Sequence, residues 1–159
     1  VKPGGISAAA DCNGVYPSLP DRQIGNKMSE QQRIVQAYLQ GVQEFSLPED
    51  ALAKFLHEKV EFIEYPNLIN RHGQKRNLEQ ALKGLAVGRT ILTQQNYEIQ
   101  DCIEKAGTLF LQARWTGKMA VDAGPLKKDQ ILTAHCAMRF EFENGKIIRQ
   151  TNYDCYDPF

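Results

Sequence analysis

Histidine is scarce in this chain. There are three in 159 residues, and no two of them (His57, His72, His135) stand at a spacing that would hold a metal ion. No glycine-rich phosphate loop is present either. Net charge is also missing, because nineteen Lys and Arg balance nineteen Asp and Glu. Without a global positive field, nucleic-acid binding needs a local basic stripe. The nearest candidate, "NRHGQKR" over 70–76, is short and reads as a solvated turn. No apolar run approaches the ~18 residues of a membrane span. The four cysteines, Cys12, Cys102, Cys136 and Cys155, form no CxxC pair. Neither a thiolate metal site nor a disulfide framework is indicated, so free thiols in a reducing cytoplasm are the expectation.

What is present is an ordinary globular composition, 42% hydrophobic and 24% charged, in a chain of one domain's length. Residues 1–27 stand apart. They are rich in Gly, Pro, Ser and Ala and lack hydrophobic periodicity, and they have neither the basic start nor the apolar stretch of a signal peptide. They read as an irregular leader or extension ahead of a single domain over 28–159.

From Ser29 the pattern becomes regular. Ile34, Val35, Tyr38, Leu39 and Val42 recur at helical spacing behind a Ser29 cap. "SLPEDALAKFLHEKV" repeats the device, with Ser46 as cap, Pro48 in the first turn, and Ala51, Leu52, Phe55 and Leu56 as the apolar stripe. His57 then falls at the end of this second helix, where a cation suits the dipole. "VEFIEYP" over 60–66 alternates and stops at Pro66, as a short strand does; "NLEQALKGLAVG" over 77–88 predicts a third helix ended by Gly88. Four strands follow, over 96–104, 108–121, 131–143 and 146–156, with the last two joined across Asn144-Gly145. Three helices and a strand followed by an antiparallel meander make an α+β domain. Its helices must cover one face of a curved sheet.

The Asn144-Gly145 turn sets a register for the last hairpin. Counting outward from Glu143 and Lys146 pairs Phe142 with Ile147, Phe140 with Arg149, and Cys136 with Tyr153 on one face. On the other face Arg139 meets Gln150, Ala137 meets Asn152, and His135 meets Asp154. Directly opposite residues have Cβ atoms about 4.5–5.5 Å apart. The His135 imidazole and Asp154 carboxylate can then touch, either as an oriented acid–base pair or as a cross-strand ion pair on a solvated face.

The order of elements, with "VQAYLQGVQEF", "VEFIEYPN" and "MRFEFENGKIIRQTNYD", resembles the nuclear transport factor 2-like superfamily, over residues 29–157. That superfamily includes ketosteroid isomerase, scytalone dehydratase and SnoaL-like polyketide cyclases. The resemblance implies a cone in which the bent antiparallel sheet wraps three N-terminal helices around a deep pocket. It also implies a homodimer formed through the outer sheet face. Of ketosteroid isomerase's catalytic positions, the oxyanion-binding tyrosine falls on Tyr38 and the general base on Tyr65. The second aspartate falls on Ala137, or on Cys136 if the turn is counted differently. With one of three side-chain types kept, that enzyme's own mechanism is not expected. The same alignment points the face of His135, Ala137, Asn152 and Asp154 into the pocket. It lines the neighbouring wall with Leu109, Leu111, Ala113 and Trp115, although Leu109 and Leu111 read rather as core.

The resulting expectation is a cofactor-independent isomerase, cyclase or dehydratase acting on a small apolar carbonyl or hydroxyl compound. His135 would move the proton, Asp154 would orient it, and Tyr38 or Asn152 would polarise the oxygen. A non-catalytic ligand-binding or protein-interaction domain of the same fold is the rival expectation.

Overall fold

In chain order, the elements of the computed structural model are α1 (Glu30–Glu44), α2 (Glu49–Ala53), β1 (Leu56–Glu64), β2 (Gln74–Arg76), α3 (Leu78–Ile91), β3 (Leu92–Lys105), β4 (Thr108–Met119), β5 (Ile131–Glu143) and β6 (Lys146–Tyr156). The structure describes residues 28–45 and 48–159. The leader expected over 1–27 and the Ser46 cap lie outside the described residues.

The two long helices start where the sequence says they should. Ser29 accepts from the Gln32 amide and Asn77 from the Gln80 amide, and each glutamine side chain reaches back to close a capping box. Such caps are worth about 1 kcal/mol each. The third helix does not end at Gly88. It runs on to Ile91 and passes directly into β3.

The second helix is shorter than its stripe predicts. It stops at Ala53, and Leu56 to Glu64 form a strand that carries His57 with it. Leu52, Leu56 and Val60 are four apart, a spacing that shares one face in a helix and also in a strand. The tie is broken by pairing, since Leu56 lies beside Ile147 of β6, both are buried, and the Ile147 amide donates to Phe55 O. The "NRHGQKR" turn also contains more order than expected. Its last residues form β2, which pairs antiparallel with Phe62–Glu64 of β1.

The sheet order is β2-β1-β6-β5-β4-β3. The predicted antiparallel meander is β3 to β6, and β1 extends it through a parallel pairing with β6. Bulges interrupt the β3–β4 and β5–β6 ladders, the usual source of bending in a sheet. Within the bend, Val35, Tyr38, Leu39 and Val42 of α1 join a core with Leu109, Leu111, Ala113, Met138 and Phe140. Phe140 is completely buried. Removing such a side chain from water contributes about 1.5–3 kcal/mol.

Candidate functional site

One residue decides which side chains reach the cavity. Asn144 and Gly145 have φ of 50° and 73°, as a two-residue primed turn requires, and Phe142 pairs with Ile147 as the sequence predicts. Beyond that pair the ladder slips. Glu141 opposes Arg149 rather than Ile148, and Phe140 opposes Gln150. An unslipped ladder would set Arg149 opposite Phe140, on the core face. The bulge instead turns Arg149 outward, where its Nη2 meets Glu61 Oε2 at 3.0 Å and its Nη1 meets Glu141 Oε2 at 3.4 Å.

A slip of one exchanges the two faces of a strand, so the expected His135–Asp154 pair does not form. His135 opposes Cys155, while Asp154 opposes Cys136. His135 lies on the outer face with its side chain 57% exposed and Nε2 3.6 Å from Asp157 Oδ1. Ala137 is exposed on the same face, next to Tyr153. Tyr65 is also outside, its ring stacked on Tyr153 at 4.7 Å. The position that the resemblance left open between Ala137 and Cys136 is thus taken on the inside by Cys136.

Asn152 and Asp154 do face inward, as expected. They line a polar cavity of ≈ 180 Å³ together with Glu64, Arg76, Gln150 and Tyr156. Parallel pairing brings Glu64 beside Asn152 and Phe62 beside Gln150, and antiparallel pairing brings Arg76 beside Phe62. The Gln150 amide donates to Asn152 Oδ1 at 2.9 Å. Asp154 Oδ1 and Gln150 Oε1 are buried with no hydrogen-bond partner among the described residues. Burial pushes the Asp154 carboxyl above the usual carboxylate pKa, so it holds its proton more tightly. Glu64's charge adds to this, while hydrogen bonding from Cys136 and Asn152 opposes it. The neighbouring Cys136 thiol is pushed up as well, by burial first and then by Asp154. Burial likewise holds Tyr97 and Tyr156 in their protonated, donor form, with the nearby Asp154 charge adding to the effect.

A second, mainly apolar chamber of ≈ 730 Å³ shares Arg76 and Tyr156 with the polar cavity. Its walls come from α3, the α3–β3 junction, β4, the 120–130 loop and the 65–73 loop, with Trp115, Met119, Leu126 and Leu132 among them. Trp115 takes the lining position expected of it. Its indole donates to Gln95 Oε1 at 3.0 Å and meets Tyr156 edge-on at 6.0 Å between ring centroids. Gly117 makes room for that ring, since a Cβ there would stand 2.5 Å from Trp115 Cζ2. Leu111 and Ala113, by contrast, are core residues that line neither cavity. Tyr38 is also core, and it lines neither cavity. Burial raises its phenol, and the charge of Arg76 pulls it partly back.

The residues that sequence reasoning missed as site members are Arg76 and Tyr156. Arg76 sits in a stretch that reads as a polar turn, and Gln150 shares the inward face of β6 with Asn152 and Asp154. His57 belongs to β1 and accepts the Lys59 amide through Nδ1, while His72 lies in an exposed turn. Among the described residues no three His, Cys, Asp or Glu side chains cluster as metal ligands, and no helix is long and apolar enough to cross a membrane.

No protein-family model matches the chain, and no curated protein sequence does. Solved structures do match. A candidate SnoaL-like polyketide cyclase from Jannaschia sp. CCS1 superposes with a TM-score of 0.66 at 16% identity, covering 82% of this chain and 91% of that one. TerC, co-crystallised with polyporic acid, gives 0.61 at 15% identity over 79% and 91%. A protein with a ketosteroid isomerase-like fold from Catenulispora acidiphila, in complex with trimethylamine, gives 0.60 at 13% identity over 76% and 83%. At these identities the likeness concerns the fold: this chain has the α+β cone of the nuclear transport factor 2-like superfamily, the fold of SnoaL-like cyclases and ketosteroid isomerase-like proteins.

Proposed function

We propose that this protein binds a small, largely apolar carbonyl or hydroxyl compound across the two cavities and transfers a proton on it through Asp154. The reaction class is that of a cofactor-independent isomerase, cyclase or dehydratase. The observation that carries this reading is the Asp154 carboxyl group, with one buried, unpaired oxygen at the wall of the polar cavity. A carboxyl group whose proton is held more tightly by burial is suited both to take a proton and to return it. Asn152 and Arg76, on the same wall, supply donors for the oxygen that gains charge. His135 has no part in this scheme, because it faces away from the cavity. The apolar chamber fits the body of a ring compound, and the cyclase-type neighbours support the class without naming a substrate.

The test uses β-tetralone in deuterated buffer, with exchange of its α-hydrogens followed by NMR. The wild-type protein is expected to accelerate exchange, and Asp154→Asn to lose at least about 100-fold of that acceleration. An unaccelerated wild type, or an unaffected variant, removes Asp154 from the role of base. Binding of the ketone without exchange favours the non-catalytic ligand-binding reading.

The outer sheet face supports a homodimer as the assembled form. Ile103, Phe110, Ala137 and Tyr153 are exposed on the outer face of β3 to β6, and Tyr65, just past β1, stacks on Tyr153; exposed apolar side chains gathered in this way mark a contact surface more often than a solvated one. The free thiols of Cys102, Cys136 and Cys155 suit a reducing compartment such as the cytoplasm.

A further inference from the structure

Arg76 is the cation at the junction of the two cavities, and its pairing is incomplete. Its Nε is buried without a partner among the described residues. Its Nη2 stands 3.7 Å from Glu64 Oε2, outside hydrogen-bond range. Glu64 is already engaged elsewhere, accepting from Asn67 Nδ2 at 2.8 Å and from Gln74 Nε2 at 2.6 Å. A guanidinium has five N–H donors, so most of this one's donors have no hydrogen-bond partner among the described residues, at a wall common to the polar and apolar spaces.

The place of this side chain depends on Gly84. A Cβ at that position would stand 2.6 Å from Arg76 Nη1, so even alanine displaces the head group. Gly84 lies inside α3, where glycine is a poor helix former. Only its lack of a side chain leaves the guanidinium its seat. The other charges at the cavities are Glu64 and Asp154 on the polar side and Arg71, exposed, on the chamber wall. Both carboxylates line the polar cavity with Arg76, and no Asp or Glu side chain among the described residues lines the chamber.

We infer that Arg76, seated against Gly84, is the specificity-determining residue of this site and selects ligands that carry an anionic oxygen on an apolar ring body. The ligand's body fills the chamber and its oxyanion takes the free guanidinium donors, a charge-assisted pairing of the kind at which arginine excels. This inference rests on the chamber being the ligand site, as proposed above, but not on Asp154 being a base.

The probes are lawsone, a hydroxynaphthoquinone ionised at neutral pH, and its uncharged methyl ether. Trp115, the sole tryptophan and a chamber wall, reports binding by fluorescence quenching. Lawsone is expected to bind about 10- to 100-fold more tightly than the ether. Arg76→Met is expected to abolish that preference, and Gly84→Ala, whose methyl pushes Arg76 Nη1 aside, to weaken it. Arg71→Met is expected to leave the preference intact. Equal binding of the two quinones by the wild type, or a preference that survives Arg76→Met, overturns the assignment of Arg76 alone. If Arg71→Met removes the preference as fully, the assignment fails too. Failure of both quinones to bind removes the chamber as an apolar-ligand site, and this inference falls with the proposed function.

Discussion

Alanine at Gly117 tests how tightly the chamber wall is built. The new methyl would meet Trp115 at Cζ2, 2.5 Å away, and at Cη2, so the ring must move. Moving it strains the wall, and overpacking of this kind costs about 1–3 kcal/mol. It also draws the indole N–H away from Gln95, whose own amide donates to Val42 O at 2.8 Å and so ties α1 to β3. A buried donor left unpaired adds about 1–3 kcal/mol. Because the two effects share one displacement, their sum is about 2–4 kcal/mol. For an ordered domain of roughly 130 residues the entropy of unfolding is about 0.28 kcal/mol per kelvin, which makes this a fall of about 7–14 °C in Tm. Thermal unfolding followed by circular dichroism and by Trp115 emission measures both consequences. The expected result is a lower midpoint and a shifted native emission maximum. Gly88→Ala, which places a methyl where nothing stands within 4 Å on the same domain, is expected to gain about 0.5–1 kcal/mol instead. A Gly117→Ala protein that melts within about 2 °C of its parent, with unchanged emission, refutes the claim that glycine is required there.

Two further outcomes follow from burial and exposure. Asp154 holds its proton more tightly in the native state than in the unfolded chain. As pH rises through the unfolded value of 3.8 toward the native one, the native state therefore keeps a proton that the unfolded state has released, and stability falls. Asp154→Asn lacks this loss, so its stability relative to the parent should grow with pH across that window and then level off. Urea midpoints at pH 3.5, 5 and 7 measure it, and a pH-independent difference rules out the burial argument. On the outer face, Phe110→Lys is expected to convert a dimer to a monomer in sedimentation velocity with little change in Tm, because Phe110 is 49% exposed in the single chain. A wild type that sediments as a monomer excludes the interface.

Local signals carried far along this chain. The Ser29 and Asn77 boxes mark the helix starts, the Asn144-Gly145 turn marks its hairpin, and alternation marks β4 and β5. The α+β class and the inward aim of Asn152, Asp154 and Trp115 were legible from them together with the resemblance. The stretch from Leu52 to Val60 was not legible, because a spacing of four satisfies helix and strand alike and only the edge of β6 breaks the tie.

The sequence by itself determined the order of elements, the turn chemistry and the apolar face of each element, since these depend on neighbours a few residues away. Tertiary structure decided which of these side chains meet at the site. The slip at Ile148 keeps Arg149 off the core face and sets it beside Glu61, which is 88 positions distant in the chain. That slip separates His135 from Asp154, and β2 then brings Arg76 to the same wall. A strand has a period of two, so one extra residue reverses every inside–outside assignment beyond it. Whether such a residue is accommodated depends on charges and packing that come from the rest of the fold.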